Sequence, residues 1–236
     1  MAVVKRALTL TQELVALVER TEPDPGPEPG SVDHTAEEFS AMADDLVAAE
    51  NPQDLWIFAY GSLIWNPEFE FVESRPAIAR GWHRSFCITM TRWRGTRDLP
   101  TLMMALDRGG TCNGIVYRLS GADHPSQVAR LLEREIDGNP PTNVPRWITV
   151  ATEGGSIRAL TFVADRKGPA YAGRRDLDEV ASVLARAAGH WGSAATYLYR
   201  TVSKLDEHRI YDRNLWTIQA RVAEHIAAEA PARGGR

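Results

Sequence analysis

The sequence predicts an α+β fold in which a curled, barrel-like sheet carries helices at its periphery. Between Asp54 and Val163, short apolar or alternating runs recur at strand length and are separated by glycine-containing turn signals. One stretch among them, from Asp123 to Gly138, has helical periodicity, and from Asp176 onward the whole chain changes to a helical period. With 236 residues, 44% of them hydrophobic, there is enough apolar material for one sizeable core. Strands so closely spaced curl or close to hide their edges.

Taken in order, Thr9 and Gln12 have capping-box spacing ahead of Leu10, Leu14, Leu17 and Val18 on one helical face, which predicts a short first helix. From Thr21 to Asp33, Pro23, Pro25, Pro27 and Pro29 alternate with acidic and glycine residues, a composition that forms neither helix nor ladder and predicts an extended linker. Thr35 and Glu38 cap a second helix whose Phe39, Met42, Ala43 and Leu46 form an apolar stripe. Residues 1–53 are therefore expected to be a helical N-terminal extension, and 54–230 the main domain. In the main domain, strands are expected from Trp56 up to the break at Gly61 and around Phe69–Val72, His83–Thr89, Leu102–Leu106, Gly114–Leu119, Trp147–Ala151 and Ile157–Val163. Turns are expected at Arg80-Gly81, Arg94-Gly95, Gly109-Gly110 and Gly154-Gly155. Asp176, Ser193 and Asp212 are the expected caps of three C-terminal helices.

The net charge of −4 gives no electrostatic reason to expect nucleic acid or an acidic membrane as a partner, so a small molecule is expected. Cys87 and Cys112 are far apart and form no CxxC pair, which argues against a disulfide scaffold and against a thiolate metal cluster. The first ten residues lack the apolar core of a signal peptide, and no run is long enough to span a membrane, so the cytoplasm is the expected location. His34, His83, His124, His190, His208 and His225 are scattered without metal-ligand spacing. No phosphate-binding glycine loop or nucleophile elbow is present either, so neither a metal nor a cofactor is expected.

Two places can carry chemistry. The run Ile57-Phe58-Ala59-Tyr60-Gly61-Ser62-Leu63 is an apolar strand that breaks at a glycine before a hydroxyl. The glycine permits positive φ or close backbone approach, so successive amides can point at an anion or carbonyl oxygen; an ordinary turn fits the same letters. Ser62 could itself act as a nucleophile, but no histidine partner is indicated by spacing. In the helix from Asp123, Val128, Leu131 and Leu132 define an apolar stripe, and Glu135 falls in the middle of it while Glu133 projects to the opposite side. A carboxylate there must be paired, hydrogen-bonded or protonated; an arginine-paired core glutamate and a functional one both satisfy this. Arg92, Arg94, Arg97 and Arg108, near Trp82 and Trp93, fit a solvated charged face, a substrate-carboxylate clamp or a partner for Glu135.

The strings FAYGSLIW at Phe58–Trp65, Arg80-Gly81-Trp82-His83-Arg84-Ser85-Phe86, Arg94-Gly95-Thr96, Gly109 to Gly114, Glu133-Arg134-Glu135, Tyr171-Ala172-Gly173 and Tyr211 to Leu215 occur in an order that resembles the ChaC-like, glutathione-specific γ-glutamylcyclotransferases. The resemblance covers about Asp54 to Val222 and departs from the family pattern at Asp98 and Leu99 and at Ala194. It implies a small mixed barrel with peripheral helices and a cofactor-independent lyase reaction that cleaves glutathione to 5-oxoproline and cysteinylglycine. It also implies Glu135 as catalytic acid/base and Ile57 to Leu63 as the loop that holds the γ-glutamyl group. Alternatives within the resemblance are a cyclotransferase for other γ-glutamyl amines or dipeptides and a non-catalytic γ-glutamyl-binding regulator; monomer and dimer are both compatible with it.

Overall fold

The computed structural model describes residues 7–27, 30–121, 123–136 and 138–233. In chain order it contains α1 (Gln12–Ala16), α2 (Ala36–Glu50), β1 (Trp56–Ala59), α3 (Ser62–Trp65), β2 (Phe71–Met90), β3 (Thr101–Leu119) and α4 (His124–Glu135). These are followed by β4 (Asn143–Thr152), β5 (Gly155–Ala164), α5 (Leu177–Arg186), β6 (Ala188–Gly189), β7 (Gly192–Ser193), α6 (Ala194–Glu207) and α7 (Arg213–Arg233). The chain divides into two compact units, Met1–Gly26 with Thr89–Met103 and Arg174–Arg236, and Pro27–Ile88 with Met104–Gly173.

The first unit is mainly helical. Here α5, α6 and α7 bury Leu184, Leu198, Leu205, Leu215 and Val222 against one another, and α5 and α6 begin at the expected caps Asp176 and Ser193. Asp212 accepts the Asn214 and Leu215 amides, each at 3.1 Å, at the start of α7. The first helix begins later than its capping signal suggests, with Thr11 as its cap. The reason is tertiary: buried Gln219 takes the Thr9 and Leu10 amides at 2.9 and 2.8 Å, so Thr9 cannot close a local box. Arg92 pairs with Asp24 at 2.7 Å, and buried Arg94 donates to the Trp191 and Ser193 carbonyls, so these cations of the arginine cluster have protein partners.

The second unit is a closed barrel in the order β1-β3-β2-β4-β5. β1 runs antiparallel to β3, Trp56 opposite Arg118 and Ala59 opposite Ile115, and parallel to β5 at Ile57 and Leu160. That closure buries every residue of β1. Two expected turns are not turns. Arg80-Gly81 lies inside the 20-residue β2, and Gly109-Gly110 inside the 19-residue β3. Gly81, Gly109 and Gly110 take positive φ, so glycine's conformational freedom bends long strands as a barrel requires. Gly154-Gly155 does mark a hairpin, with Thr152 opposite Gly155 between β4 and β5. The Thr35–Glu38 capping box forms as spaced. α2 is fastened to the hairpin by a Trp147 indole bond to the Leu46 carbonyl (3.0 Å) and by the Arg158–Glu50 pair (2.6 Å).

Candidate active site

β1 delivers its chain directly into the candidate loop. Ile57, Phe58 and Ala59 are 0% exposed, so their side chains belong to the core, and the Phe58 carbonyl also takes the Thr161 hydroxyl at 2.9 Å. At Gly114 on the neighbouring strand, an added Cβ would lie 2.7 Å from the Phe58 ring, which explains why β3 carries a glycine beside the end of β1. Tyr60 and Gly61 turn the chain, and Ser62 and Leu63 open α3, whose first bond runs from the Ile64 amide to the Gly61 carbonyl at 2.9 Å. The first amides of any helix have no acceptor within it, so the backbone of this turn is suited to meeting an oxyanion or carboxylate. Gly61 has φ −134°, so positive φ is not what the glycine supplies. Ser62 is half-buried, and no histidine hydrogen-bonds to it among the described residues.

Arg84 holds this turn from behind, a role that sequence analysis did not assign. It is 4% exposed and donates from Nε to the Tyr60 carbonyl at 2.7 Å and from Nη2 to the Asn113 carbonyl at 2.5 Å. A signal for it does exist. Arg84 shares strand parity with buried Phe86 and Ile88, so it is a charge on the apolar face of an alternating run.

Glu135 is the last residue of α4, which starts at the expected Asp123 cap with proline in its first turn. Val128, Leu131 and Leu132 of the stripe are all buried, and the Glu135 side chain is 16% exposed. Burial pushes its carboxyl above the usual range; the Arg134 guanidinium, with Nε 3.1 Å from Oε1, pulls it back only in part, and Glu68 adds to the rise. Arg134 also lies 3.2 Å from Glu68, three residues beyond α3. The exit of α3 and the end of α4 therefore meet through one guanidinium. The cavity beside it is lined by Pro67 to Glu70 and by residues of α4, and neither Tyr60 to Leu63 nor Glu135 is among its lining residues. Among the described residues, no group of His, Cys, Asp or Glu is arranged to hold a metal ion, and no helix is long and apolar enough to cross a membrane.

A family profile described as ChaC-like protein matches residues 55–225, an interval that contains both the β1–α3 loop and Glu135. The chain belongs to the ChaC-like family. It is 32% identical over 193 residues to a glutathione-specific γ-glutamylcyclotransferase of Escherichia coli K12, covering 81% of this chain and 83% of that protein. It is also 32% identical over 153 residues to the mouse glutathione-specific γ-glutamylcyclotransferase 1, covering 64% of this chain and 69% of the relative. Among solved structures, a glutathione-specific γ-glutamyl cyclotransferase from yeast superimposes with a TM-score of 0.66 at 21% identity, over 74% of this chain and 97% of that one. This likeness concerns the fold, and it agrees with the α+β barrel described above.

Proposed function

We propose that this chain is a glutathione-specific γ-glutamylcyclotransferase, a lyase that needs no cofactor, with Glu135 as its acid/base and the turn at Tyr60 to Leu63 as the cradle of the γ-glutamyl group. The observation that carries this reading is the carboxylate closing α4: buried on an apolar stripe, raised in pKa and joined through Arg134 to the exit of α3. The names of the relatives supply the substrate class.

In the reaction, the α-amine of the γ-glutamyl residue attacks its own side-chain carbonyl. A C–N bond closes the five-membered lactam of 5-oxoproline, and the original amide C–N bond breaks to release cysteinylglycine. Attack requires a neutral amine, so Glu135 takes a proton from the α-ammonium and returns it to the departing nitrogen. A carboxyl raised by burial serves both steps better than an exposed one, because its two protonation states lie closer in energy at the working pH. Amides of the β1–α3 turn stabilise the oxygen on which charge develops. Nucleophile and electrophile belong to one molecule, so the pocket mainly has to fold the substrate into its ring-closing shape.

The test is 5-oxoproline release from glutathione by Glu135→Gln, with folding verified by circular dichroism. A loss of about 10³-fold is expected for removal of a general acid/base, and near-normal turnover would overturn the assignment. In the unaltered protein, the rate should rise with pH as the Glu135 carboxyl ionises.

A further inference from the structure

Arg134 is shared between two glutamates and closes fully on neither. Its Nη1 stands 3.2 Å from Glu68 Oε2, without a directed hydrogen bond, and its Nε stands 3.1 Å from Glu135 Oε1. Elsewhere in the molecule, arginine grips a carboxylate with two bonds. Arg158 donates to Glu50 from Nε at 2.8 Å and from Nη2 at 2.6 Å, and Arg92 donates to Asp24 from Nε at 2.8 Å and from Nη2 at 2.7 Å. That fork is the strong geometry for the pair, and it holds both carboxyls below their ordinary values, Asp24 at about 2. Glu135 has an arginine just as near, but its carboxyl is raised by burial.

The difference lies in what pulls on the far side of the guanidinium. Glu68 has a left-handed backbone, φ 53°, which is uncommon for a residue other than glycine. Both of its carboxylate oxygens are engaged. Oε1 takes the side-chain amide of Asn66, the residue that ends α3, and Oε2 faces Arg134. A helix end, a left-handed residue and a guanidinium therefore form one chain that ends on Glu135. Among the described residues, Arg134 from its own helix and Glu68 from the segment after α3 are the charged groups that act on Glu135; α2, which also packs on α4, supplies none. Strained backbone persists where surrounding contacts fix it, and here those contacts are the ones that steer Arg134.

Resting on the proposed reaction, in which Glu135 is the acid/base, we infer that Glu68 is a positioning residue for it: anchored by Asn66, Glu68 draws the Arg134 guanidinium outward and prevents the two-bond grip that would turn Glu135 into a structural carboxylate. Without that pull, Glu135 would resemble Glu50, gripped by a fork and ionised at lower pH. A carboxylate in that state is a weaker base toward the α-ammonium of the substrate.

The experiment removes the Glu68 carboxylate and keeps its backbone. Glu68→Asn does this, because asparagine tolerates the left-handed conformation. The Glu135 side-chain carboxyl carbon, assigned by its absence from Glu135→Gln, is followed by carbon-13 NMR as pH is varied with no substrate present. Its midpoint should fall in Glu68→Asn, and in Asn66→Ala by less. In parallel, the acid limb of kcat/KM for 5-oxoproline release from glutathione should move to lower pH, and the plateau should drop by about threefold, a small effect because Glu68 is half-exposed and screened. A double-mutant cycle then separates steering from simple repulsion between the two glutamates. In an Arg134→Gln background, Glu68→Asn should move the midpoint much less; an equal shift in both backgrounds would overturn the inference. So would a midpoint that stays in place in Glu68→Asn, which would leave turnover and its dependence on Glu135 intact and so keep the reaction. An Arg134-dependent shift in a protein that releases no 5-oxoproline would keep the hold of Glu68 on Arg134 and remove the reaction.

Discussion

Glu135 at the end of α4 and Asp107 in β3 are two carboxylates of the barrel unit, both largely withdrawn from water and shifted in opposite directions. Burial pushes Asp107 upward as well, yet the Arg166 guanidinium at 2.6 Å, the Arg108 amide at 2.8 Å and the Tyr171 hydroxyl at 2.9 Å outweigh it and hold the carboxyl below its ordinary value. Glu135 has Arg134 as its one hydrogen-bonding partner among the described residues, and burial prevails. Desolvation is common to both sites; the number of donors differs. A saturated carboxylate is a structural anion, whereas an under-satisfied one can exchange a proton, and the fold places the second kind beside the cavity.

The strongest way to break this comparison is to neutralise each carboxylate in turn and measure turnover. Glu135→Gln should lose about 10³-fold, whereas Asp107→Asn, assayed where it is folded, should stay within a fewfold of the unaltered protein. A collapse in both would mean that donor count does not separate structure from chemistry here. Next in size is the other rule-breaking charge. Arg84→Met should lower kcat by about 10²-fold with 5-oxoproline release as the readout, the order expected when a positioning contact relaxes by an ångström, and a normal rate would show that the Tyr60 carbonyl needs no anchor.

Stability sharpens the contrast further. Asp107→Asn should cost about 2 kcal/mol in denaturant unfolding at neutral pH, as for hydrogen bonds to a charged acceptor. Because the folded carboxyl of Asp107 is depressed, its contribution is present above the unfolded value and is lost as pH falls through the folded one, so the deficit should shrink in acid. Glu135 has the reverse sign. Its raised folded value makes ionisation cost stability as pH rises through it, so Glu135→Gln should melt slightly higher than the unaltered protein at pH 8, with the gain fading toward pH 4. A gain that grew in acid would contradict the raised value.

Both charges violate a sequence period, and only the helical violation is legible from the sequence. Glu135 interrupts a helical stripe and stood out because the stripe Val128, Leu131, Leu132 is clean. Arg84 interrupts a strand face, but Cys87 is buried out of phase with Phe86 and Ile88, which blurs the alternation and hides the anomaly. The helix caps Asp123, Asp176 and Ser193 were legible because capping is settled within one turn. Thr9 failed as a cap because its partner, Gln219, is 210 residues away. The glycines of β2 and β3 misled for a related reason: a glycine that bends a strand and one that ends it look alike until the neighbouring strand is present.

What the sequence determined by itself is what local chemistry decides: the α+β class, most helix starts, the strand-to-loop break at Gly61 and the misplaced carboxylate Glu135. The tertiary structure decided which distant groups meet, because a strand or helix pattern specifies a face and not its partner. Closure of the barrel buried both sides of β1, put Arg84 behind the Tyr60 carbonyl, and brought Glu68 to Arg134 so that one guanidinium is shared between two glutamates. The pKa of Glu135 follows from that assembly, since its sign depends on how many donors reach a buried carboxylate, and that number is set only when the chain is folded.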